Sequence, residues 1–215
     1  SSLLERTFKD DNTIVTQADQ EAEKRIIEII KQDFPDHAIL AEESGHQDTG
    51  SRYTWIIDPL DGTRNFVNGI PIFATSIALV KDEESLGAVI FSPMSNDLFA
   101  AEKGSGAFCN GNKLAVSPQQ ADTAMITIGT SSQPEDKELV NKFFVSAPKF
   151  VKSIRYLGSS VLEMAYVARG GTEGFINIGT KKWDYAAGTL LVLEAGGKIS
   201  DFNGEPWNFN QNYFL

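Results

Sequence analysis

Residues 55–66, which read W-I-I-D-P-L-D-G-T-R-N-F, constrain the fold of this chain more than any other part of the sequence. The apolar residues 55–57 are typical of the end of a buried strand, and Pro59 predicts that the strand stops there, because proline cannot donate to a ladder. Asp58 and Asp61 flank the proline turn, and Asp61 is a natural N-cap for a helix that follows. Carboxylates at a strand end beside a helix N-terminus can hold hard cations and a phosphate together. The same D-x-x-D spacing also occurs in ordinary surface turns.

The whole stretch resembles the signature of the inositol monophosphatase family, whose members are Mg²⁺-dependent, lithium-sensitive phosphatases. Further segments resemble that family in the same order along the chain, namely residues 9–19, 41–45, 104–111 and 183–188, the last of which reads W-D-Y-A-A-G. The resemblance implies an α+β fold, built as a layered αβαβα sandwich. It also implies one domain over residues 1–215 with two halves, about 1–120 and 121–215, that is short at both ends relative to the family.

Local patterns predict the order of helices and strands. A short β-favouring piece at residues 13–15 precedes a helix that begins with a capping box of Thr16 and Asp19 and ends near Phe34. The apolar face of this helix consists of Ala18, Ala22, Ile26, Ile29 and Ile30. The first half then predicts strands that look like an antiparallel meander rather than βαβ units, at residues 38–41, 55–57, 73–80, 86–91, 98–101 and 114–116. An Asn-Gly pair predicts the last hairpin of this run. The second half predicts strands at residues 124–128, 151–157 and 174–178 and helices that start near residues 132, 160 and 184.

Composition limits the classes of function. The net charge of −10 argues against nucleic acid as a partner, because nucleic acid calls for a basic patch. The same charge repels a phosphate ester, so bound cations must reverse the local field if the substrate is a phosphate. The single cysteine, Cys109, excludes an internal disulfide, and no apolar run approaches the roughly 20 residues of a membrane span. Without a basic-then-apolar leader, we expect a cytoplasmic protein with no membrane partner.

The resemblance implies a set of hard oxygen ligands, which suit Mg²⁺ far better than zinc. Asp58 bridges two ions in this pattern, Glu42 holds the first, and Asp61 and Asp184 hold the second. The carbonyl of Leu60 adds a backbone ligand. Each acid also has an ordinary interpretation, and for Asp184 alone a helix cap is favoured, although one carboxylate can be both cap and ligand. Two or three Mg²⁺ ions are expected as cofactors, and Li⁺ is expected to inhibit.

The same resemblance implies how water attacks the phosphate. Thr63 pairs through its hydroxyl with Asp19, and together with Glu42 it positions the attacking water. The N–H groups of Gly62 and Thr63 bind phosphate oxygens at the helix N-terminus. On position alone, Asp19 is only an acid in a first helical turn. Lys9 falls in a segment that resembles a loop closing over the metals, although a lone lysine in a polar segment is ordinarily solvated.

Asn177 bears on the choice of substrate. In inositol-specific members of the family, a glutamate that receives ring hydroxyls precedes the aspartate matching Asp184 by seven residues, and that count lands on Asn177. A carboxamide accepts through one oxygen and lacks the charge that strengthens a carboxylate's hydrogen bonds. We therefore expect Asn177 to bind the substrate without strict selectivity for inositol phosphate. The alternative is that Asn177 simply ends its strand and another residue contacts the substrate.

The function predicted from the sequence is an Mg²⁺-dependent phosphomonoesterase for a small polyol or sugar phosphate, with inositol 1-phosphate as the leading substrate. Histidinol phosphate, fructose 1,6-bisphosphate and adenosine 3′,5′-bisphosphate are alternatives within the family. A non-catalytic regulatory partner built on this fold is the alternative from another class. We expect no covalent nucleophile, because Cys109, His37 and His46 have no suitably spaced partner residues. The expected partners are a small-molecule phosphate ester and, in a homodimer, a second copy of the chain.

Overall fold

Helices and sheets alternate in layers. The computed structural model describes residues 6–8 and 14–215, and Lys9, expected in a loop over the metals, lies outside them. The strands of the described part are β1 (Arg6–Phe8), β2 (Ile14–Thr16), β3 (Ala38–Ala41), β4 (Gly45–Gln47), β5 (Tyr53–Asp61), β6 (Ala74–Lys81), β7 (Glu84–Ser92), β8 (Asp97–Glu102), β9 (Gly106–Cys109), β10 (Asn112–Lys113), β11 (Met125–Thr130), β12 (Ser153–Arg155), β13 (Gly174–Ile178) and β14 (Tyr213–Phe214). Its α-helices are α1 (Gln17–Asp33), α2 (Thr63–Val67), α3 (Pro134–Ser146), α4 (Ser160–Ala168) and α5 (Lys182–Glu194). None of these helices is both long and apolar enough to cross a membrane.

Two sheets organise the fold. The larger has eight strands in the order β10-β9-β8-β7-β6-β5-β3-β4, and its strands β5 to β10 form the predicted antiparallel meander. The smaller has four strands in the order β12-β11-β13-β14. Here β11 is parallel to both β12 and β13, so helices α3 and α4 are crossovers between parallel strands. Strands β1 and β2 form a separate antiparallel pair.

Successive residues of β5 show how the layers form, because side chains of a strand point alternately to its two faces. Ile57 packs with Ile30 of α1 on one face. Ile56 belongs to the main core on the other face, which includes buried residues of α4, α5 and the smaller sheet. On the far side of the smaller sheet, Ile128 of β11 packs in a cluster with Leu139 of α3. The order is therefore α1, sheet, α4 with α5, sheet, α3, which is the predicted αβαβα sandwich.

The start of α1 is set by the capping box that the sequence predicts. The Thr16 N–H donates to Oδ2 of Asp19 at 2.8 Å. The helix ends at Asp33 with Phe34 as its C-cap. Ile30 of its apolar face is buried, whereas Ile29, expected on that face, is 49% exposed. Adjacent helical residues lie about 100° apart around the axis, so Ile29 turns away from the sheet that Ile30 contacts.

The end of β5 differs from the prediction. Pro59 does not stop the strand, which continues to Asp61 with a register shift against β6 between Asp58 and Asp61. Such a bulge leaves residues out of the ladder, so a proline without an N–H is tolerated there. The carbonyl of Pro59 accepts a hydrogen bond from the Thr75 hydroxyl at 2.9 Å. The bulge therefore carries both acids of the signature on one continuous strand.

Other departures are local. The Asn-Gly hairpin forms with Asn110 and Gly111 both at positive φ, as a tight two-residue turn requires, but its return strand is β10 rather than residues 114–116. Three short strands, β1, β4 and β14, have no counterpart in the prediction. The division into halves near residue 120 stays a prediction. Residues on both sides of it, such as Ile56 and Phe175, belong to one hydrophobic cluster.

Candidate active site

Asp58, Asp61 and Asp184 bring three carboxylates to one point. Each offers one oxygen, and the three oxygens lie within 4.8 Å of one another. Asp58 and Asp61 come from the bulged end of β5, whereas Asp184 comes from the first turn of α5. The structure thus brings together acids that the sequence places in two separate motifs.

Asp58 is held by the turn that follows it. The residue is only 1% exposed, and its Oδ1 accepts the Leu60 N–H at 3.0 Å. This bond to a residue two positions on is typical of an aspartate in a turn. It fixes the carboxylate and leaves the second oxygen, Oδ2, for the cluster.

Asp61 is not the N-cap of the following helix. Gly62 takes that position with φ of +87°, and α2 is only five residues long. Oδ2 of Asp61 instead accepts the Ser159 hydroxyl at 2.5 Å and the Val161 N–H at 3.0 Å, both at the start of α4. Sequence reasoning missed Ser159 and Val161, because no local spacing signals a contact between segments so far apart in the chain. These bonds fasten α4 to the acid cluster.

Asp184 is also not an N-cap. Lys181 is the N-cap of α5, and Asp184 lies at the third helical position, where its Oδ2 accepts the Lys181 N–H at 2.7 Å. This is the half of a capping box in which an acid reaches back to the cap backbone. The expectation that one carboxylate can serve both the helix end and a cation site is compatible with this geometry, because the other oxygen remains.

Glu42 lies at the rim of the cluster, directly after β3. Its N–H donates to the Ile57 carbonyl at 3.1 Å, which sets it beside the strand that carries Asp58. The loop after it is held by Glu23 of α1, whose buried carboxylate accepts the N–H groups of Glu43 and Ser44, each at 2.8 Å. Sequence reasoning missed Glu23, which occupies an ordinary helical position.

Burial, and after it the charge of neighbouring acids, raises the pKa values of the clustered acids. Burial raises the pKa of Asp61 to about 7, against the hydrogen bonds from Ser159 and Val161, and the charge of Glu42 adds to the rise. Burial, followed by the charges of neighbouring acids, also raises the pKa of Asp58 and of Asp184 well above the usual range. Close, buried carboxylates resist simultaneous ionisation unless a cation compensates them. All the candidate metal ligands are hard oxygen atoms, so the residues present fit Mg²⁺.

Thr63 and Asp19 meet beside this cluster, as the family resemblance implies. Oγ1 of Thr63 lies 3.0 Å from Oδ1 of Asp19 and 3.0 Å from the Leu60 carbonyl oxygen. One hydroxyl hydrogen can serve only one of these acceptors at a time. Asp19 is fully buried and its other oxygen accepts the Thr16 N–H, so its carboxylate is fixed in place.

Gly62→Ala is expected to lower the free energy of unfolding by about 2–5 kcal/mol. The positive φ of Gly62 disfavours any L side chain, and an added Cβ would lie 2.8 Å from the Ile72 carbonyl oxygen. Gly69→Ala is the matched control, because Gly69 also has positive φ but nothing within 4 Å of an added Cβ. Urea unfolding of both variants should show the larger loss for Gly62→Ala. Equal losses would mean that the close approach of the backbone at Gly62 carries no cost.

The substrate-binding role expected of Asn177 is corrected by its surroundings. The side chain is fully buried, its Nδ2 donates to the Asn212 carbonyl at 2.8 Å, and its Oδ1 accepts the Thr180 hydroxyl at 2.7 Å. The carboxamide nitrogen and oxygen of Asn177 thus both have protein partners. The carboxamide instead fastens the end of β13 to the segment before β14, which agrees with the alternative that another residue contacts the substrate.

Comparison with known proteins gives consistent matches. The model of the inositol monophosphatase family matches residues 3–215. Nus factor SuhB of Pasteurella multocida is 41% identical over 206 residues, which cover 94% of this chain and 76% of that protein. The fructose-1,6-bisphosphatase/inositol-1-monophosphatase of Thermotoga maritima is 41% identical over 209 residues, 97% of this chain and 78% of that protein. The crystal structure of SuhB from Bartonella henselae has a TM-score of 0.90 at 36% identity and covers 98% of this chain and 82% of that one. The predicted layered α+β fold is therefore confirmed.

Proposed function

Because the chain belongs to the inositol monophosphatase family, we propose that it is a metal-dependent phosphomonoesterase that hydrolyses a small polyol or sugar phosphate. The observation that carries this proposal is the convergence of Asp58, Asp61 and Asp184 within 4.8 Å. Three carboxylates held this closely in a largely buried site are costly for a metal-free protein, and a structural role gives no reason to gather them.

The residues that would hold Mg²⁺ are those that the family pattern names. They are Asp58, Asp61 and Asp184, with Glu42 and the Leu60 carbonyl beside them. Bound Mg²⁺ would neutralise these acids, make an attacking water more acidic and stabilise the leaving alkoxide. Two or three Mg²⁺ ions fit the charge of the site. They would bring about four to six positive charges to about four carboxylate charges, so the site would become neutral or positive. Inhibition by Li⁺ is part of the same proposal.

The chain's own groups would orient the reaction. When the Thr63 hydroxyl donates to Asp19, its lone pair can accept a hydrogen bond from the attacking water, with Glu42 as a second acceptor. The water oxygen then bonds to phosphorus as the ester P–O bond breaks in line with it. The N–H groups of Gly62 and Thr63 are proposed to contact phosphate oxygens. Cys109 is a poor rival nucleophile, because burial and the nearby Asp97 raise the pKa of its thiol.

Thr63→Ala is expected to lower kcat about 100-fold with little change in KM. The backbone N–H survives the substitution, so phosphate contact persists while the water-orienting hydroxyl is lost. Thr75→Ala is the matched control, because the Thr75 hydroxyl bonds to the Pro59 carbonyl on the same bulge and has no role in the proposed reaction. Steady-state kinetics of both variants make the comparison. An effect confined to KM would argue against the role of Thr63.

The substrate is proposed from the family and from one relative's name. The Thermotoga maritima protein is named for both fructose-1,6-bisphosphatase and inositol-1-monophosphatase activity. Inositol 1-phosphate is the first substrate to test, followed by fructose 1,6-bisphosphate, histidinol phosphate and adenosine 3′,5′-bisphosphate. Phosphate release from this panel in the presence of Mg²⁺ tests the proposal. Phosphate release from at least one ester supports the proposal. Absence of release from every ester would argue against the enzyme assignment.

A second candidate function is that of a non-catalytic regulatory partner. It is favoured by one observation, that the Pasteurella multocida relative is named Nus factor SuhB, a name that states no enzymatic activity. The same panel separates the two candidates, because a regulatory protein without catalysis releases no phosphate from any ester. A cytoplasmic location and a homodimer remain proposals alongside either function.

A further inference from the structure

Glu163 is a buried acid that the proposed reaction does not use. It lies in α4 and is fully buried. Its Oε1 accepts the Leu157 N–H at 2.6 Å. Its second oxygen, Oε2, has no hydrogen-bond partner among the described residues. Buried polar atoms are almost always satisfied, so an unpaired carboxylate oxygen calls for an explanation.

Glu163 lines a cavity that adjoins the acid cluster. The cavity has a volume of about 140 Å³. Asp61 and Asp184 line it together with Glu163, and Thr130, Tyr156 and Ser160 add further polar groups. A water molecule takes up about 30 Å³ in the liquid, so the cavity admits a group of only a few non-hydrogen atoms. Two of the three clustered acids and Glu163 thus line the same small space.

A phosphate ester at the acid cluster would need such a space. The proposed function places the phosphate beside Asp61 and Asp184, so the alcohol portion of the ester must occupy a neighbouring cavity. Asn177, the residue expected to contact that portion, is fully engaged in the protein. Glu163 is the lining acid outside the cluster, and its Oε2 has no hydrogen-bond partner among the described residues.

We propose that Glu163 is a specificity-determining residue, whose Oε2 hydrogen-bonds a hydroxyl of the alcohol portion of the substrate. The inference rests on the proposed phosphatase function and narrows its substrate class to polyol phosphates. A hydroxyl suits this oxygen in either protonation state, because it can donate to a carboxylate and accept from a carboxylic acid. An alkyl group can neither donate nor accept, so it leaves the oxygen unsatisfied, and an ammonium group suits only the ionised carboxylate, because it can donate but not accept.

The bond to Leu157 gives Glu163 a structural role as well, and the two roles predict different results. Holding the loop at Leu157 affects all substrates alike, because no part of it depends on the alcohol. Contact with a substrate hydroxyl changes the preference between esters that differ only in that group. The ratio of kcat/KM values for two matched esters therefore isolates the contact.

The test compares glycerol 1-phosphate, propyl phosphate and 3-aminopropyl phosphate, which share a three-carbon chain. With Mg²⁺ present, the wild-type protein should prefer glycerol 1-phosphate over each of the others by at least about ten-fold in kcat/KM. Glu163→Met should bring the ratio to propyl phosphate close to one. Glu163→Gln, which keeps an acceptor for Leu157, should lower the ratio several-fold, because the amide nitrogen in place of Oε2 can donate to the substrate hydroxyl but cannot accept from it.

Glu194→Gln is the matched control. Glu194 likewise accepts backbone N–H groups, from Gly104 and Gly106, but lies at the other end of α5 from Asp184, about 15 Å along the helix. Glu194→Gln should leave the ratio of kcat/KM values at the wild-type value. The proposal would be overturned if the Glu163 variants lost kcat/KM equally on glycerol 1-phosphate and on propyl phosphate. A wild-type preference for 3-aminopropyl phosphate would also overturn it. If the Met variant fails to fold, the wild-type ratio together with the Gln variant still tests the proposal.

The outcomes also separate this inference from the function on which it rests. Phosphate release from all three esters at similar rates would overturn the role of Glu163 and leave the phosphatase assignment standing. Absence of release from these esters and from the larger panel would overturn both.

Discussion

Replacement of Asp58 by asparagine is expected to lower kcat by about three orders of magnitude or more while making the metal-free protein more stable. The amide keeps the shape of the side chain and still accepts the Leu60 N–H through its oxygen. It removes one charge from a cluster in which burial and neighbouring acids raise the pKa of Asp58 well above its usual range. The metal-free fold therefore gains roughly 1–2 kcal/mol, whereas a bound cation would lose a charged ligand.

The opposite signs of these two effects distinguish a functional acid from a structural one. Asp136 supplies the control, because it is also buried but bonds to the Ser131 and Tyr213 hydroxyls. Asp136→Asn should lower stability, since it weakens charge-assisted bonds without relieving an acid cluster. Urea unfolding in excess chelator measures both variants, and phosphate release measures kcat. Near-normal turnover of Asp58→Asn would assign Asp58 a structural role only.

The metal-free protein is expected to lose stability as pH rises from about 4 to about 7, and Mg²⁺ is expected to restore it. Burial raises the pKa of Asp61 from its ordinary value of 3.8 to about 7 in the folded protein. Between these values the folded state holds a proton that the unfolded state has lost, so the free energy of unfolding falls with rising pH. For Asp61 alone the loss is about 2–4 kcal/mol across that window. Burial shifts the pKa of Asp58, Asp184 and Glu163 in the same direction.

Added Mg²⁺ competes with these protons, so its stabilising effect should grow with pH. At 100 times the dissociation constant a bound ion contributes about 2.7 kcal/mol. We expect Mg²⁺ to raise the unfolding free energy by at least this much near pH 8 and by little near pH 5. Urea titrations with MgCl₂, and with NaCl at matched ionic strength as the control, make the comparison. A stabilisation by Mg²⁺ that is the same at both pH values would contradict the account of the cluster.

Much of the fold could be predicted because its signals are local. The capping box at Thr16 and Asp19 sets the start of α1, and the strand over residues 174–178 has the bounds of β13. The hairpin turn at Asn110 follows from the left-handed backbone that Asn-Gly favours. Pro59 was misjudged, because a missing N–H ends a regular ladder but not a bulged one. A strand as short as β14 has too few residues to show a period.

In the candidate site, too, local motifs could be predicted and tertiary contacts could not. The motifs predicted Asp58, Asp61 and Asp184 as candidate ligands, and the structure brings them together. The contacts that Ser159 and Val161 make with Asp61 could not be predicted, since they depend on how α4 packs. Asn177 shows the converse, because its position in the motif gave no sign that Asn212 and Thr180 occupy its polar groups. Burial and partner choice are tertiary properties, and the spacing of residues along a chain does not encode them.

The central claim is that the clustered carboxylates hold Mg²⁺ for phosphate ester hydrolysis. The most direct measurement is phosphate release from inositol 1-phosphate while Mg²⁺ is titrated into protein first stripped with a chelator, for the wild type and for Asp184→Asn. The account predicts no release before Mg²⁺ is added, saturable activation of the wild type, and activation of Asp184→Asn that is at least about 100-fold weaker. Release by the stripped wild type in excess chelator, or equal activation of the two proteins, would contradict it.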